Sequence, residues 1–385
     1  MFVFVCAGCG AELTTPVSQV SLPVHAHQVY GNGAQLPVLM ETGTFAVDPE
    51  PWGPPWRKWE HIHPDEAAVR GVYAPVHALS DGAPGAIAIA PGDVRGVRLV
   101  PEERGGACCG LDGTGGPNTA CEACGLLVAT RVDDCSLWQA VWLAPNAVQR
   151  LPLDGVDTEP LSWEELVEDG RSTPPFEPVA TWASRLGSSH HWTWSPRWEA
   201  AAGRALAHLL AASGGQPVTV PNGLAEEVFQ RALDALLPGG RQKRRATLTG
   251  PGLPAPEAGV DIFLVPVHPQ TGQAWTPGGP TASAYPVPLP FGVWLWMAFP
   301  PPPPPVPASG GVPDDVLREP VGRRLGGGSG WRPDFDDSHP PRPPHLFRID
   351  RRTFHHTLAR LPAVRSPWLR EILDSHTHQR YIALF

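Results

Sequence analysis

The sequence contains almost no lysine and none of the common catalytic motifs. Lys58 is followed by Trp59 and Lys243 by Arg244, so no Gly-Lys-Ser/Thr phosphate-binding loop exists. The motifs Gly-x-Ser-x-Gly, His-Glu-x-x-His, Gly-x-Gly-x-x-Gly and the His-x-Glu of zinc deaminases are also missing. These absences argue against the nucleotide-binding, hydrolase and deaminase families that carry them.

Basic charge and long apolar runs are also scarce. The chain has 29 basic and 38 acidic residues, and its net charge of -9 disfavours a broad phosphate-binding face and hence nucleic acid as a partner. The longest strongly apolar run, Phe291–Phe299, is too short to cross a bilayer, and Met1–Val5 lacks the basic region of a signal peptide. We therefore expect a cytoplasmic protein without membrane association.

The cysteines provide the most specific pattern. Seven cysteines without a secretion signal favour metal ligands or free thiols over a disulfide framework. Two residues between cysteines allow a tight turn that aims both sulfurs at one metal, and a following glycine tolerates the left-handed backbone of that turn. The chain has two such Cys-x-x-Cys-Gly knuckles, which together predict a structural Zn²⁺ site with four thiolate ligands: Cys6, Cys9, Cys121 and Cys124.

The spacing of the two knuckles is unusual and leaves alternatives open. The usual gap between the pairs is about 15–20 residues, whereas Cys9 and Cys121 are over a hundred residues apart. Such a long insertion is tolerable because the closure entropy rises only logarithmically with loop length. Cys108, Cys109 or Cys135 could instead replace a knuckle cysteine or build a second site. Four thiolates close the coordination shell, which predicts a structural rather than a catalytic zinc.

Histidine and tryptophan clusters suggest weaker alternatives. On a strand, histidines two residues apart project from one face and could bind a metal; three such pairs occur, His25 with His27, His61 with His63, and His376 with His378. The middle pair stands beside Glu60 and Asp65. A chain with 15 histidines produces such pairs in loops without function, and its 15 tryptophans are better interpreted as anchors for irregular loops than as ligand platforms.

The first 150 residues have the pattern of a β-rich domain. Their apolar stretches are short, are bounded by turn residues and show almost no helical periodicity. A Pro91-Gly92-Asp93 break between two apolar runs predicts a hairpin turn. We assign residues 1–150 to a zinc-ribbon-like domain with a long insertion between the knuckles, with strands at Phe2–Val5, Leu36–Met40, Thr44–Val47, Ile87–Ala90, Val97–Val100, Leu126–Thr130 and Leu137–Leu143.

The pattern changes to mixed α and β in residues 151–299. Ser162 and Glu165 form a capping box before a short helix. Ser195-Pro196 predicts the start of a longer helix that stops at Gly214, and Asn222 can cap another. The predicted strands of this α/β domain are Val218–Val220, Ala246–Thr249, Val260–Val267 and Val293–Phe299.

The rest of the chain divides into a linker and a helical segment. Residues 300–344 are rich in proline and glycine and begin with consecutive prolines that favour a stiff polyproline II rod, so we predict a linker or surface excursion. Residues 345–385 contain two short helical patterns, Asp350–Leu361 and Ser366–Leu373, which are expected to dock on the body. The predicted fold class is α+β, with a β-rich N-terminal domain, a mixed α/β body and a C-terminal helical segment.

The chain resembles a family of uncharacterised actinobacterial proteins. The resemblance rests on the Phe-Val-Cys-x-x-Cys-Gly start, on the Cys121–Gly125 knuckle and on the sequence Asp-Cys-Ser-Leu-Trp-Gln-Ala-Val-Trp-Leu at Asp134–Leu143. The knuckles by themselves are similar to those of zinc ribbons. The family has no assigned activity, so the resemblance implies one continuous protein and no mechanism.

Three functional hypotheses follow from these patterns. The first is a cytoplasmic, zinc-stabilised interaction or scaffold protein whose proline-rich segment is available to protein partners. The second is an enzyme, either a metal-dependent hydrolase using His61, His63 and Asp65 or a thiol redox enzyme using Cys108 and Cys109. The third is a weak nucleic-acid-binding protein, because zinc knuckles often serve that purpose. The sequence does not determine substrate, partner or oligomeric state.

Overall fold

The α+β class is confirmed by the computed structural model. It describes residues 1–30, 34–103, 105–106, 110–153, 159–183, 187–277, 284–301, 343 and 345–378. Within these residues the chain forms seven α-helices and eighteen β-strands in five sheets. None of the described helices has the length and apolar character needed to cross a membrane.

The N-terminal part of the fold is built on a seven-stranded sheet and a two-stranded ribbon. The ribbon joins β1 to β12 in antiparallel register, and the large sheet has the order β2-β4-β7-β11-β10-β9-β8. The strands of this part are β1 Phe2–Cys6, β2 Ser18–Gln19, β3 Ala34–Gln35, β4 Thr44–Val47, β5 Trp56–Lys58, β6 Ala78–Ser80, β7 Ile87–Ile89, β8 Val97–Leu99, β9 Thr119–Cys121, β10 Leu127–Val132, β11 Ala140–Leu143 and β12 Val148–Pro152.

Both faces of the large sheet are buried at its central strands β7 and β11. Val141 and Leu143 of β11 pack into a cluster with Phe4 and Phe45, whose rings meet edge to face at 5.0 Å. The intervening Trp142 packs on the opposite face. Because successive side chains of a strand point to opposite faces, burial on both sides gives continuous apolar runs instead of alternation. This explains why these strands stand out in the sequence.

The hairpin predicted at Pro91-Gly92-Asp93 is wrong. A short 3₁₀ helix, Pro91–Asp93, follows β7, and β8 lies at the far end of the sheet. The Asp93 side chain is buried, and its carboxylate accepts hydrogen bonds from the Thr15 hydroxyl at 3.1 Å and the Gly43 N–H at 2.8 Å. The turn residue Asp93 therefore joins two distant loops through tertiary hydrogen bonds. The strand predicted at Leu36–Met40 is likewise reduced to an isolated bridge at Val38.

The middle part contains an antiparallel hairpin and a four-stranded parallel sheet. The hairpin, β13 with β14, is joined by β3, and the parallel sheet has the order β15-β16-β17-β18. The strands of the middle part are β13 Phe176–Ala183, β14 Gly187–Trp194, β15 Val218–Thr219, β16 Arg244–Leu248, β17 Ile262–Val267 and β18 Tyr285–Pro290. The helices of the whole chain are α1 Pro64–Val69, α2 Trp163–Asp169, α3 Pro196–Ser213, α4 Leu224–Leu236, α5 Phe291–Ala298, α6 Arg351–Arg360 and α7 Pro367–His378.

Local capping signals predict some of these helices correctly and others not. The capping box of Ser162 and Glu165 is present at α2, and α3 starts at Pro196 and ends at Gly214 as predicted. Asn222 does not cap α4, because Gly223, with φ +89°, is the N-cap residue. The strand predicted at Val293–Phe299 is wrong, since residues 293–298 lie in α5 and Phe299 is its C-cap residue. A short and mostly buried apolar run fits a core helix as well as a strand, and periodicity cannot separate them.

The C-terminal helices pack against the long helix α3 and its core. α6 packs against α3, where an added Cβ on Gly203 would lie 2.5 Å from the Asp350 carbonyl oxygen. Leu358 is fully buried in the same core as the long helix. The predicted linker at residues 300–344 lies almost entirely outside the described residues, so its structure stays a prediction.

An ion pair between Glu50 and Arg360 joins the loop after β4 to α6, and it predicts a pH-dependent stability. Burial raises the pKa of Glu50, but hydrogen bonds and charge from His356 and Arg360 lower it more, from 4.5 to about 2. This depressed pKa means that the contribution to stability is complete above about pH 4.5 and is lost as the pH falls towards 2. Because the Glu50 side chain is 40% exposed, we expect the ion pair to contribute under about 1 kcal/mol to the free energy of unfolding.

The variant Glu50→Gln tests this contribution. Thermal unfolding should show a lower midpoint than wild type at pH 7, and the difference should shrink below pH 4.5. Glu102→Gln, at an exposed position, is the control and should follow wild type throughout. A difference between wild type and Glu50→Gln that stays constant down to about pH 2 would contradict the linkage.

Candidate metal centre

The first knuckle is a tight turn at the end of β1. The Cys6 N–H donates to the Ala11 carbonyl and the Gly10 N–H donates to the Cys6 carbonyl, both at 2.8 Å. Gly10 has φ +76°, the left-handed conformation that glycine adopts without steric cost. Cys6 is buried at the strand end, whereas Cys9 is exposed. The turn thus places one sulfur against the core and one at the surface.

The second knuckle repeats this geometry at the end of β9. The Cys121 N–H donates to the Leu126 carbonyl at 2.8 Å, and the Gly125 N–H donates to the Cys121 carbonyl at 2.9 Å. Gly125 has φ +77°, and again the first cysteine is buried while Cys124 is exposed. The same five-residue motif therefore folds in the same way twice, as its local turn chemistry requires.

The two knuckles face each other. The Sγ atoms of Cys6 and Cys124 are 3.5 Å apart, and those of Cys9 and Cys121 are 3.7 Å apart. All four sulfurs lie within 4.8 Å of one another. Each short contact joins a sulfur of one knuckle to a sulfur of the other. The chain thus brings together all four cysteines that the sequence singled out, in an arrangement that could hold one metal ion.

The thiols strongly influence one another's ionisation. Burial raises the pKa of Cys6, but hydrogen bonds from the Gly8 and Cys9 backbone and from the facing thiols lower it to about 7. The Leu126 backbone lowers the pKa of Cys124, but the neighbouring thiols of Cys6 and Cys9 raise it to about 12. Successive negative charges repel each other, so a fully ionised cluster needs a cation among the sulfurs.

Non-local strand pairing holds the knuckles together. The Ala7 N–H donates to the Ala147 carbonyl at 3.0 Å beside the ribbon of β1 and β12. The Glu122 N–H donates to the Gly96 carbonyl at 2.9 Å next to β8. Gly96 also lies close to the chain that follows the first knuckle, because a Cβ at this position would be 2.8 Å from the Glu12 carbonyl oxygen. Sequence reasoning missed Gly96, and its one signal is a glycine directly before a strand.

The other cysteines have different positions. Cys135 lies between β10 and β11, where its N–H donates to the Asp134 carboxylate at 2.9 Å, and it is not in the four-cysteine group. Cys108 and Cys109 lie outside the described residues, so their proposed redox role stays a prediction.

Neither the pair His25 and His27 nor the pair His61 and His63 joins a metal-binding group. Among the described residues, the four cysteines form the only group of three or more His, Cys, Asp or Glu side chains that are close enough to share a metal ion. His61 and His63 are exposed, and His63 caps α1 by accepting from the Asp65 N–H. His25 is buried, and His27 contacts the Asp48 carboxylate at 2.7 Å. His376 and His378 lie in α7, whereas the prediction that such a pair binds a metal assumes a strand, on which side chains two residues apart share a face.

Several tryptophans act as core anchors. Trp194 and Trp198 are completely buried, and their indole N–H groups donate to the carbonyl oxygens of His345 and Thr173. Trp52 stacks on Trp142 with ring centres 5.0 Å apart. These contacts favour the anchoring interpretation at these positions over a ligand platform.

Comparison with known proteins gives no relative from which a function could be transferred. No protein-family model, no curated protein and no solved structure matches the chain. The resemblance to actinobacterial proteins therefore stays a prediction, and the functional argument depends on the geometry of the site.

Proposed function

We propose that the four knuckle cysteines bind one Zn²⁺ ion. With zinc–sulfur bonds of about 2.3 Å, tetrahedral geometry separates the sulfurs by about 3.8 Å. The observed contacts of 3.5 and 3.7 Å between the sulfurs of the two knuckles approach this value. Four cysteine ligands also suit zinc, because thiolates prefer borderline-soft and soft metals over calcium or magnesium. The convergence of these sulfurs is the single observation that carries the proposal.

The proposed role of the ion is structural. Four thiolates leave no open position for an activated water molecule, so the site cannot act as a hydrolytic centre while all four are bound. The ion would join the end of β1 to the end of β9 and so close most of the N-terminal part of the chain into one unit. Binding to preorganised thiolates also suits a reducing compartment, which supports a cytoplasmic protein.

The broader proposal is a zinc-stabilised interaction or scaffold protein. Its support is that the metal centre has no catalytic position, and that apolar side chains are exposed beside the second knuckle. Leu126 and Leu127 are each 39% exposed. Exposed apolar side chains at a rigid turn can contact a protein partner.

Elemental analysis of protein purified without added metal tests the zinc assignment. We expect one zinc per chain, and replacement by cobalt should produce the visible absorption of a tetrahedral cobalt–thiolate complex. Binding should protect the four knuckle thiols from alkylation. The assignment would be refuted if the protein contained one iron per chain instead of zinc, or if the knuckles were joined by a disulfide in a reducing buffer.

A further inference from the structure

Each knuckle of the four-cysteine cluster has one exposed and one buried cysteine. Cys9 and Cys124 are exposed, whereas Cys6 and Cys121 are buried. The sulfur contacts of 3.5 Å and 3.7 Å each join the exposed cysteine of one knuckle to the buried cysteine of the other. An oxidant in solution therefore meets one member of each pair first, and the second member lies directly behind it.

An exposed thiol in front of a buried one is the arrangement that disulfide formation by peroxide requires. Peroxides oxidise an accessible thiol to a sulfenic acid, and a neighbouring thiol converts the sulfenic acid to a disulfide. The sulfur–sulfur bond of a disulfide is about 2.05 Å long. The sulfurs of Cys6 and Cys124, which are 3.5 Å apart, reach this distance by small rotations about their Cα–Cβ bonds. The cluster is therefore poised for oxidation between the knuckles.

Gly8 distinguishes one sulfur pair from the other. A Cβ added at Gly8 would lie 3.5 Å from the Cys124 sulfur and 3.7 Å from the Cys6 sulfur. Gly8 is exposed and has no side chain, so it leaves this side of the sulfur pair uncovered. The equivalent position of the second knuckle is Ala123, which has a methyl group. The pair of Cys6 and Cys124 thus combines the shorter contact with an approach that no side chain blocks at Gly8.

A disulfide between the knuckles would preserve the connection that the metal ion makes. Cys6 and Cys124 are over a hundred residues apart, so a bond between them closes a long loop and strongly restricts the unfolded chain. A disulfide within one knuckle closes a loop of only a few residues and leaves the end of β1 unconnected to the end of β9. Oxidation across the knuckles therefore replaces the ion by a covalent bond at the same place in the fold.

We propose that the cluster is a site of reversible oxidation by peroxide, in which Cys124 is oxidised first and then forms a disulfide with Cys6. Hydrogen peroxide transfers one oxygen to the Cys124 thiol, which becomes a sulfenic acid, and one water leaves. The Cys6 thiol attacks this sulfur, the sulfur–oxygen bond breaks, a second water leaves and the disulfide forms. Two thiols are thus oxidised while one peroxide is reduced to two waters, and a ligand that starts as a thiolate takes its proton from solvent.

This inference rests on the proposed zinc site, because the disulfide removes two of the four ligands and so releases the ion. A dithiol reductant reverses the reaction, since the exposed Cys124 sulfur is open to attack by another thiol. The metal content before oxidation tests the zinc proposal by itself. The position of the disulfide tests the present one, with or without metal, so that the two proposals can fail separately.

Treatment of the zinc-loaded protein with equimolar hydrogen peroxide tests the proposal. Released zinc is measured with a chromogenic chelator, and tandem mass spectrometry maps the disulfides. We expect loss of zinc together with a disulfide between Cys6 and Cys124, and a sulfenic-acid trap such as dimedone should label Cys124 before the other knuckle cysteines. A disulfide within either knuckle, or first labelling of the buried Cys6 or Cys121, would overturn the proposal.

Thermal unfolding followed by circular dichroism tests the connection between the knuckles. The oxidised, zinc-free protein should keep a cooperative transition of the β-rich part, whereas reduced protein treated with a chelator should lose it. Loss of the transition in both forms would show that oxidation does not replace the ion as a connection.

The variant Gly8→Ala tests the approach to the sulfur pair. Its Cβ would lie 3.4 to 3.7 Å from its nearest neighbours, which is ordinary van der Waals contact, so zinc content should equal that of wild type. The added methyl group should slow disulfide formation several-fold. Gly92→Ala, whose Cβ has nothing within 4 Å, should react at the wild-type rate, as should Cys135→Ser, which removes a thiol outside the cluster. Wild-type rates for Gly8→Ala, or slower zinc release from Cys135→Ser, would contradict first oxidation at Cys124.

Discussion

Replacing Cys121 by serine is expected to abolish stoichiometric metal binding and to unfold the N-terminal part of the chain. Cys121 is fully buried at the end of β9, and its sulfur lies 3.7 Å from that of Cys9 in the other knuckle. A serine hydroxyl is a poor zinc ligand, and three thiolates do not close the tetrahedral shell. A structural zinc site contributes about 10–16 kcal/mol, so losing a large part of it exceeds the stability of a typical domain.

Metal analysis and circular dichroism check this expectation together. Cys121→Ser should contain less than one zinc per chain and should lose its cooperative thermal transition in the β-rich part. Cys135→Ser is the matched control, because Cys135 is not in the cluster and its replacement should leave the zinc content unchanged. Retention of a full metal equivalent by Cys121→Ser would disprove the four-thiolate site.

Replacing Gly203 by alanine is expected to destabilise the protein, although alanine is the better helix former. Helix propensity favours alanine over glycine by about 1 kcal/mol. Against this, the new Cβ would lie 2.5 Å from the Asp350 carbonyl oxygen and 3.0 Å from the Phe354 N–H nitrogen. Both are backbone atoms of the docked α6 segment, which cannot move as a flexible side chain can. Overpacking typically costs about 1–3 kcal/mol, and the contact with two backbone atoms places Gly203→Ala in the upper half of that range. After the gain in helix propensity we expect a net loss of about 1–2 kcal/mol.

Urea denaturation measures the balance between these two effects. The midpoint for Gly203→Ala should fall below that of wild type, with loss of the C-terminal helices at the lowest urea concentration. Gly92→Ala serves as control, because nothing lies within 4 Å of the added Cβ and its φ is not in the left-handed region. If Gly203→Ala is more stable than wild type, helix propensity dominates and α6 does not pack tightly enough on α3 to exclude a methyl group.

Sequence patterns predicted the elements whose causes are local. The capping box at Ser162, the start and end of α3 and the turns of both knuckles all depend on residues within five positions of one another. Errors occurred where tertiary contacts decide. The apolar run predicted as a strand at Val293–Phe299 is mostly helix, because its buried side chains pack into the core on several sides of the helix. Asp93 makes cross-loop hydrogen bonds instead of a hairpin turn.

The sequence alone determined that two Cys-x-x-Cys-Gly knuckles exist and that each turns its sulfurs inward, because backbone conformation within a tight turn follows from its own residues. Only the tertiary structure decided that the knuckles meet. Their contact depends on the pairing of β1 with β12 and of β9 with β8 and β10, which joins residues far apart in the chain. The ion pair of Glu50 with Arg360 could not be predicted for the same reason, since no local pattern encodes which distant side chains a fold brings together.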